Sequence, residues 1–145
     1  MDWAEKEVAN LELSKRLKEL GFPQNREGWY WIENKATKKA RIEFWNDKFE
    51  HYLEENKEYI NLYKAPTNSE LGEWLLFYLP ELGFLRIEKN EDGFHYYYDG
   101  LNITEWYAIE KIEVNARAKI VIWLRENGYI TFNQGDTNAQ PRQQA

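Results

Sequence analysis

Two short stretches constrain this chain more than any others: GWYWIE at 28–33 and ARIEFW at 40–45, separated by the polar segment Asn34-Lys35-Ala36-Thr37-Lys38-Lys39. Runs of β-branched and aromatic residues on either side of a polar turn predict two antiparallel strands joined in a hairpin. Side chains alternate along a strand, so Trp29 and Trp31 share one face and Tyr30 and Ile32 the other. Both faces are therefore apolar, and at least one must be covered or must bind something. The pattern recurs at 84–89 and 94–99 around the turn Asn90-Glu91-Asp92-Gly93, with Phe94, Tyr96 and Tyr98 on one side.

Helices are expected between these hairpins. Leu13, Leu17 and Leu20 fall at i, i+4 and i+7 within 10–20, and Gly21 supplies a stop. Thr67-Asn68-Ser69-Glu70 has the spacing of a capping box ahead of the apolar run 71–79, which predicts a second helix ending near Pro80. In 113–127, Ala116, Ile120, Val121 and Leu124 line one face and Arg117 and Arg125 the other, with Gly128 as the stop. Residues 46–61 carry Phe49, Tyr52 and Leu53 at helical spacing and accommodate either a short helix or an insertion. A brief strand at 60–63 and another within 101–109 complete the pattern. The expected fold is α+β, an antiparallel sheet of two hairpins packed with about three helices, in one domain over 1–132. The polar segment 133–145 reads as a disordered tail. Leu-Lys-Glu-Leu-Gly-Phe at 17–22 and Leu-Pro-Glu-Leu-Gly-Phe at 79–84 look like a repeat, each closing a helix before a hairpin.

Composition narrows function. The chain has no cysteine, which removes disulfide scaffolds, thiolate metal sites and cysteine nucleophiles. Its net charge of −6 disfavours duplex nucleic acid. The first residues lack the pattern of a signal peptide, and no apolar run approaches the length of a membrane span. Only His51 and His95 are available for acid–base work. Ser14 and Ser69 read as ordinary helix-surface and capping-turn residues, so no nucleophilic triad is expected, and no metal or cofactor motif is present. The chain is read as a binding protein and not as an enzyme.

The aromatic rings are what remain to be explained: 7 Trp, 10 Tyr and 7 Phe make up 17% of 145 residues. A purine base stacks on such rings, and a phosphate needs Arg, Lys or a free helix N-terminus. The first hairpin offers both, with Trp29, Trp31 and Trp45 beside Arg26 and Arg41; Arg117 of the last helix is added as a pocket residue. Core packing of the same rings is the competing explanation. The tip residues Lys35, Lys38 and Lys39 with Arg41 also suit single-stranded nucleic acid or plain solvation.

Three stretches, LELSKRLKELGFPQNREGWYW at 11–31, APTNSELGEWL at 65–75 and VNARAKIVIWLRENGYI at 114–130, resemble small uncharacterised accessory proteins of bacteriophages and prophages. The resemblance implies a viral protein acting in the cytoplasm of an infected bacterium, in a class that often disarms host defence. The expected function is sequestration of a small nucleotide-type signalling molecule in an aromatic, Arg-containing pocket, by a homo-oligomer with sites near subunit contacts. The alternative is an inhibitor or adaptor that grips a host defence protein through exposed Trp and Tyr.

Overall fold

In the computed structural model, which describes residues 3–100 and 107–132, the two aromatic runs form β1 (Trp29–Asn34) and β2 (Ala40–Phe44). The register is antiparallel, with Trp31 opposite Ile42 and Trp29 opposite Phe44. On its other side β1 pairs with β3 (Ile60–Lys64), giving a three-stranded sheet of order β2-β1-β3. The second hairpin, β5 (Gly83–Asn90) and β6 (Gly93–Tyr98), lies between β4 (Tyr78–Leu79) and β7 (Ala108–Glu110) in a separate antiparallel sheet. The α+β class with antiparallel pairing therefore holds, but the hairpins belong to two sheets. β3 extends the first hairpin on the β1 side, and β4 and β7 flank the second, so the two hairpins do not pair with each other.

Five helices pack around the sheets among the described residues: α1 (Trp3–Glu7), α2 (Leu11–Glu19), α3 (Asp47–Asn56), α4 (Asn68–Gly72) and α5 (Glu113–Glu126). The segment left open between helix and insertion is helix α3, capped by the Asn46 side chain accepting from the Phe49 N–H at 2.8 Å. The expected helix over 71–79 is corrected. Its capping box forms as read, with Thr67 and Glu70 serving each other, but the helix stops at Gly72. Beyond it the Leu85 N–H donates to the Phe77 carbonyl and Tyr78 pairs with Phe84, so strand pairing wins over helical continuation. The second Leu-Gly-Phe consequently closes a strand turn, although Gly21 and Gly83 share a left-handed backbone, φ 99° and 87°. The expected tail at 133–145 and most of the 101–109 strand lie outside the described residues. Among those described, no helix is long and apolar enough to cross a membrane.

Both faces of β1 are covered. Tyr30 and Ile32 pack on Phe49 and Leu53 of α3, while Trp31 packs on Val8 and Ala65 beneath the N-terminal segment. The largest cluster lies between α5 and the second sheet, where Tyr96 and Tyr98 are fully buried with Leu17, Leu76, Ile120 and Leu124. Helix α5 is buried on more sides than its one-face reading, because Val114, Ala118 and Ile122 also pack inward. The reading of Ser14 as a helix-surface residue is corrected too. It is fully buried, and its hydroxyl donates to the Ala9 carbonyl at 3.2 Å.

Helix α2 joins the two halves. Leu17 enters the large core, and Lys15 donates to Glu33 of β1 at 2.8 Å. The Glu33 side chain is only 4% exposed, and the Lys15 hydrogen bond holds its carboxyl below the ordinary value of 4.5. A carboxyl depressed on folding contributes stability that is full above its unfolded value and is lost as pH falls through the folded one. Glu33→Gln should therefore flatten the acid limb of the stability profile below about pH 4.5, as read by urea melts at stepped pH; a limb as steep as wild type would assign acid lability elsewhere.

Candidate functional site

A cleft of about 290 Å³ opens where the loop after α2, the end of β2 and one face of α3 meet. Its apolar wall is Trp45 and Tyr30, ring centroids 5.0 Å apart, with Leu53 and Leu62 alongside. Trp45 is also held edge-on by Phe49 at 5.2 Å, so its ring lies between Tyr30 and Phe49, while its backbone N–H donates to the Gly28 carbonyl at 2.8 Å. The indole is thus oriented from two sides while remaining half-exposed.

Helix α3 places Glu50, Leu53, Glu54 and Lys57 along one stripe, since residues three and four apart share a face. Arg26 reaches the cleft from the preceding loop, where its backbone is left-handed at φ 58° and its N–H donates to the Tyr30 hydroxyl at 2.9 Å. The guanidinium is 74% exposed and lies 3.7 Å from Glu50, a loose pair that an incoming anion can displace. Lys18 enters from α2 and donates to the Leu62 carbonyl at 2.7 Å; burial lowers its pKa from the usual lysine value. Gln24 is fixed at the back, accepting from the Lys64 N–H and donating to the Phe22 carbonyl. Three cations and two carboxylates line the cleft of a chain whose overall charge is −6.

Of the six residues singled out from the sequence, Arg26 and Trp45 meet in this cleft. Trp31 does not: it is 8% exposed, and its indole N–H donates to the buried Ala9 carbonyl at 2.9 Å. Trp29 lies on the Trp31 side in edge-to-face contact with Phe44 at 5.0 Å and Trp3 at 5.9 Å. Arg41 lies over the Tyr52 ring and pairs with Glu43 at 2.9 Å, beside a different cavity of about 270 Å³. Arg117 belongs to the other half of the molecule. It bonds the Tyr96 hydroxyl at 3.0 Å and the Asn68 carbonyl at 3.1 Å, tying α4, β6 and α5 together. The Tyr96 hydroxyl donates to Glu113, and burial together with that bond pushes its pKa up to about 12.

Lys18, Gln24, Tyr30, Glu50, Glu54 and Lys57 were not among those six. The signal for the helical members was the i, i+4, i+7 placement of Glu50, Glu54 and Lys57, and the hairpin register puts Trp45 opposite Gly28, on the Tyr30 face and not the Trp29 face. The chain matches no family model, no curated protein and no solved structure.

Proposed function

We propose that the chain is a binding protein that holds a small nucleotide-type molecule in the Trp45–Tyr30 cleft, with a base against the indole and phosphate among Arg26, Lys18 and Lys57. The observation that carries this reading is the convergence of three cations on a fixed, half-exposed indole in an acidic chain. A stacked base contributes about 1–3 kcal/mol and a hydrogen bond to a charged group about 1.5–3 kcal/mol. The cleft volume of about 290 Å³ sits at the small end of ligand pockets and suits a single nucleotide unit. In the setting implied by the sequence resemblance, a phage accessory protein in the bacterial cytoplasm, such binding would sequester a nucleotide signal of host defence.

A thermal-shift panel of 5′-AMP, 5′-GMP, ADP-ribose, cyclic di-AMP and inorganic phosphate tests it, with calorimetric titration of whichever nucleotide raises the melting temperature. Arg26→Glu should weaken that affinity about tenfold or more, equivalent to about 1.4 kcal/mol. Its melting temperature should stay near wild type, since the side chain is exposed. No shift with any nucleotide, or equal affinity in the variant, removes the reading.

A second reading, an inhibitor or adaptor of a host protein, is favoured by the exposed Phe77, Tyr78 and Phe84 at the β4 edge. Tyr78 and Phe84 meet in a tilted contact, ring centroids 4.8 Å apart. Under that reading, protection of an infecting phage is lost with Phe84→Asp and kept with Arg26→Glu; the reverse pattern supports the cleft.

A further inference from the structure

Strand β2 is the edge of its sheet, and among the described residues no strand pairs with its outer side. Which of its backbone groups point outward follows from the ladder. The Asn34 N–H donates to the Lys39 carbonyl, and the Trp45 N–H donates to the Gly28 carbonyl. Hydrogen-bonded pairs alternate along an antiparallel ladder, so Lys39, Arg41, Glu43 and Trp45 turn their backbone groups towards β1. Ala40, Ile42 and Phe44 turn theirs outward. The Phe44 carbonyl also accepts from the Asn46 side chain at 3.2 Å, which leaves its second lone pair open.

We infer that β2 pairs with β2 of a second copy of this chain, antiparallel about a two-fold axis through Ile42. In that register Ile42 faces Ile42 and Ala40 faces Phe44, and all three outward residues form hydrogen-bonded pairs. Arg41 of each copy then stands opposite Glu43 of the other, in the close, non-hydrogen-bonded positions where cross-strand side chains interact most strongly. Shifting the register by two residues in either direction puts Arg41 opposite Arg41 or Glu43 opposite Glu43. The charge pattern therefore selects one register. Arg41 and Glu43 are exposed, at 54% and 41%, and are paired within one strand at 2.9 Å, so both are placed for this exchange. On the other face, Phe44, 50% exposed, gains cover from the small Ala40 of the second copy, next to the Trp29 and Trp3 rings. Edge strands are commonly protected by charges that repel a neighbour; here the charges are complementary to their own two-fold image.

Sedimentation velocity of the full chain across micromolar concentrations tests this. Wild type is expected to dimerise. Arg41→Glu and Glu43→Arg should each raise the dimer dissociation constant about tenfold or more, because both cross-strand pairs become like-charged. An equimolar mixture of the two variants should form a heterodimer, and the double variant Arg41→Glu/Glu43→Arg should dimerise like wild type. Unchanged melting temperatures of the variants separate lost pairing from lost folding. A wild type that stays monomeric, single variants that still dimerise, or a double variant that does not regain the dimer would each overturn the inference, the second of these by placing the contact on another surface such as the Phe77–Phe84 edge.

Discussion

Trp31→Ala lowers the free energy of unfolding by about 3–5 kcal/mol, the cost of emptying an aromatic-sized volume in a packed core. The indole lies between Val8 and Ala65 with Ile42 and Tyr63 as its ladder neighbours, and its N–H satisfies the Ala9 carbonyl. Total stabilities of small domains are about 5–15 kcal/mol, so the variant should be partly unfolded at body temperature. Trp45→Ala removes a half-exposed ring that touches Tyr30 and Phe49, and should cost about 1–2 kcal/mol while removing the stacking wall of the cleft. Urea melts followed by far-ultraviolet circular dichroism separate the two. Equal losses would mean that Trp31 is not the core residue of the pair.

The second large effect comes from a buried charge. Lys64 at the end of β3 is 1% exposed, its ammonium lies 2.8 Å from Glu70, it donates to the Glu27 carbonyl, and the Tyr30 ring sits 5.6 Å away. Glu70 also accepts from the Thr67 N–H at 3.1 Å, so one carboxylate closes the α4 cap and neutralises the lysine. Gly28 makes room for this arrangement: its φ is 74°, and a Cβ there would come within 2.6 Å of the Lys64 ammonium. Glu70→Ala leaves the ammonium buried without its counter-charge and should cost about 3–5 kcal/mol. Lys64→Met fills the same volume and leaves Glu70 with its cap and partial access to water, so its cost should be far smaller. The double variant should then be more stable than Glu70→Ala alone, a coupling measurable by a double-mutant cycle. A double variant less stable than either single one would show that the pair is not the unit that matters.

Those two sites show where sequence reading succeeds and where it stops. The hairpins, α2, α5 and the Thr67–Glu70 cap were legible because each is set by local alternation, helical spacing or stop residues. The length of α4 was not, because its apolar continuation is recruited by pairing of Tyr78 with Phe84, a contact made only once β5 is in place. The division into two sheets was hidden for the same reason. The aromatic excess divides physically: Tyr30, Trp31, Tyr96 and Tyr98 fill cores, while Trp3, Phe44, Phe77 and Phe84 stay exposed. Nothing in their residue type distinguishes the two sets. Within the cleft, Arg26 and Trp45 were legible as an Arg beside an aromatic hairpin. Lys18 and Lys57 come from helices that only the tertiary fold brings to that hairpin, and nothing in the residue type of Lys64 announces its burial.

On the proposed function, ligand meets Trp45 and not the Trp29–Trp31 face. Indole N–H resonances, followed by heteronuclear NMR during titration of the nucleotide that gives the largest thermal shift, test it most directly. The Trp45 resonance should move with ligand concentration, while that of Trp31, bonded to the Ala9 carbonyl in the core, stays in place. Movement of the Trp29 and Trp31 signals with a stationary Trp45 would place the ligand on the opposite face of the hairpin and remove the cleft as its site.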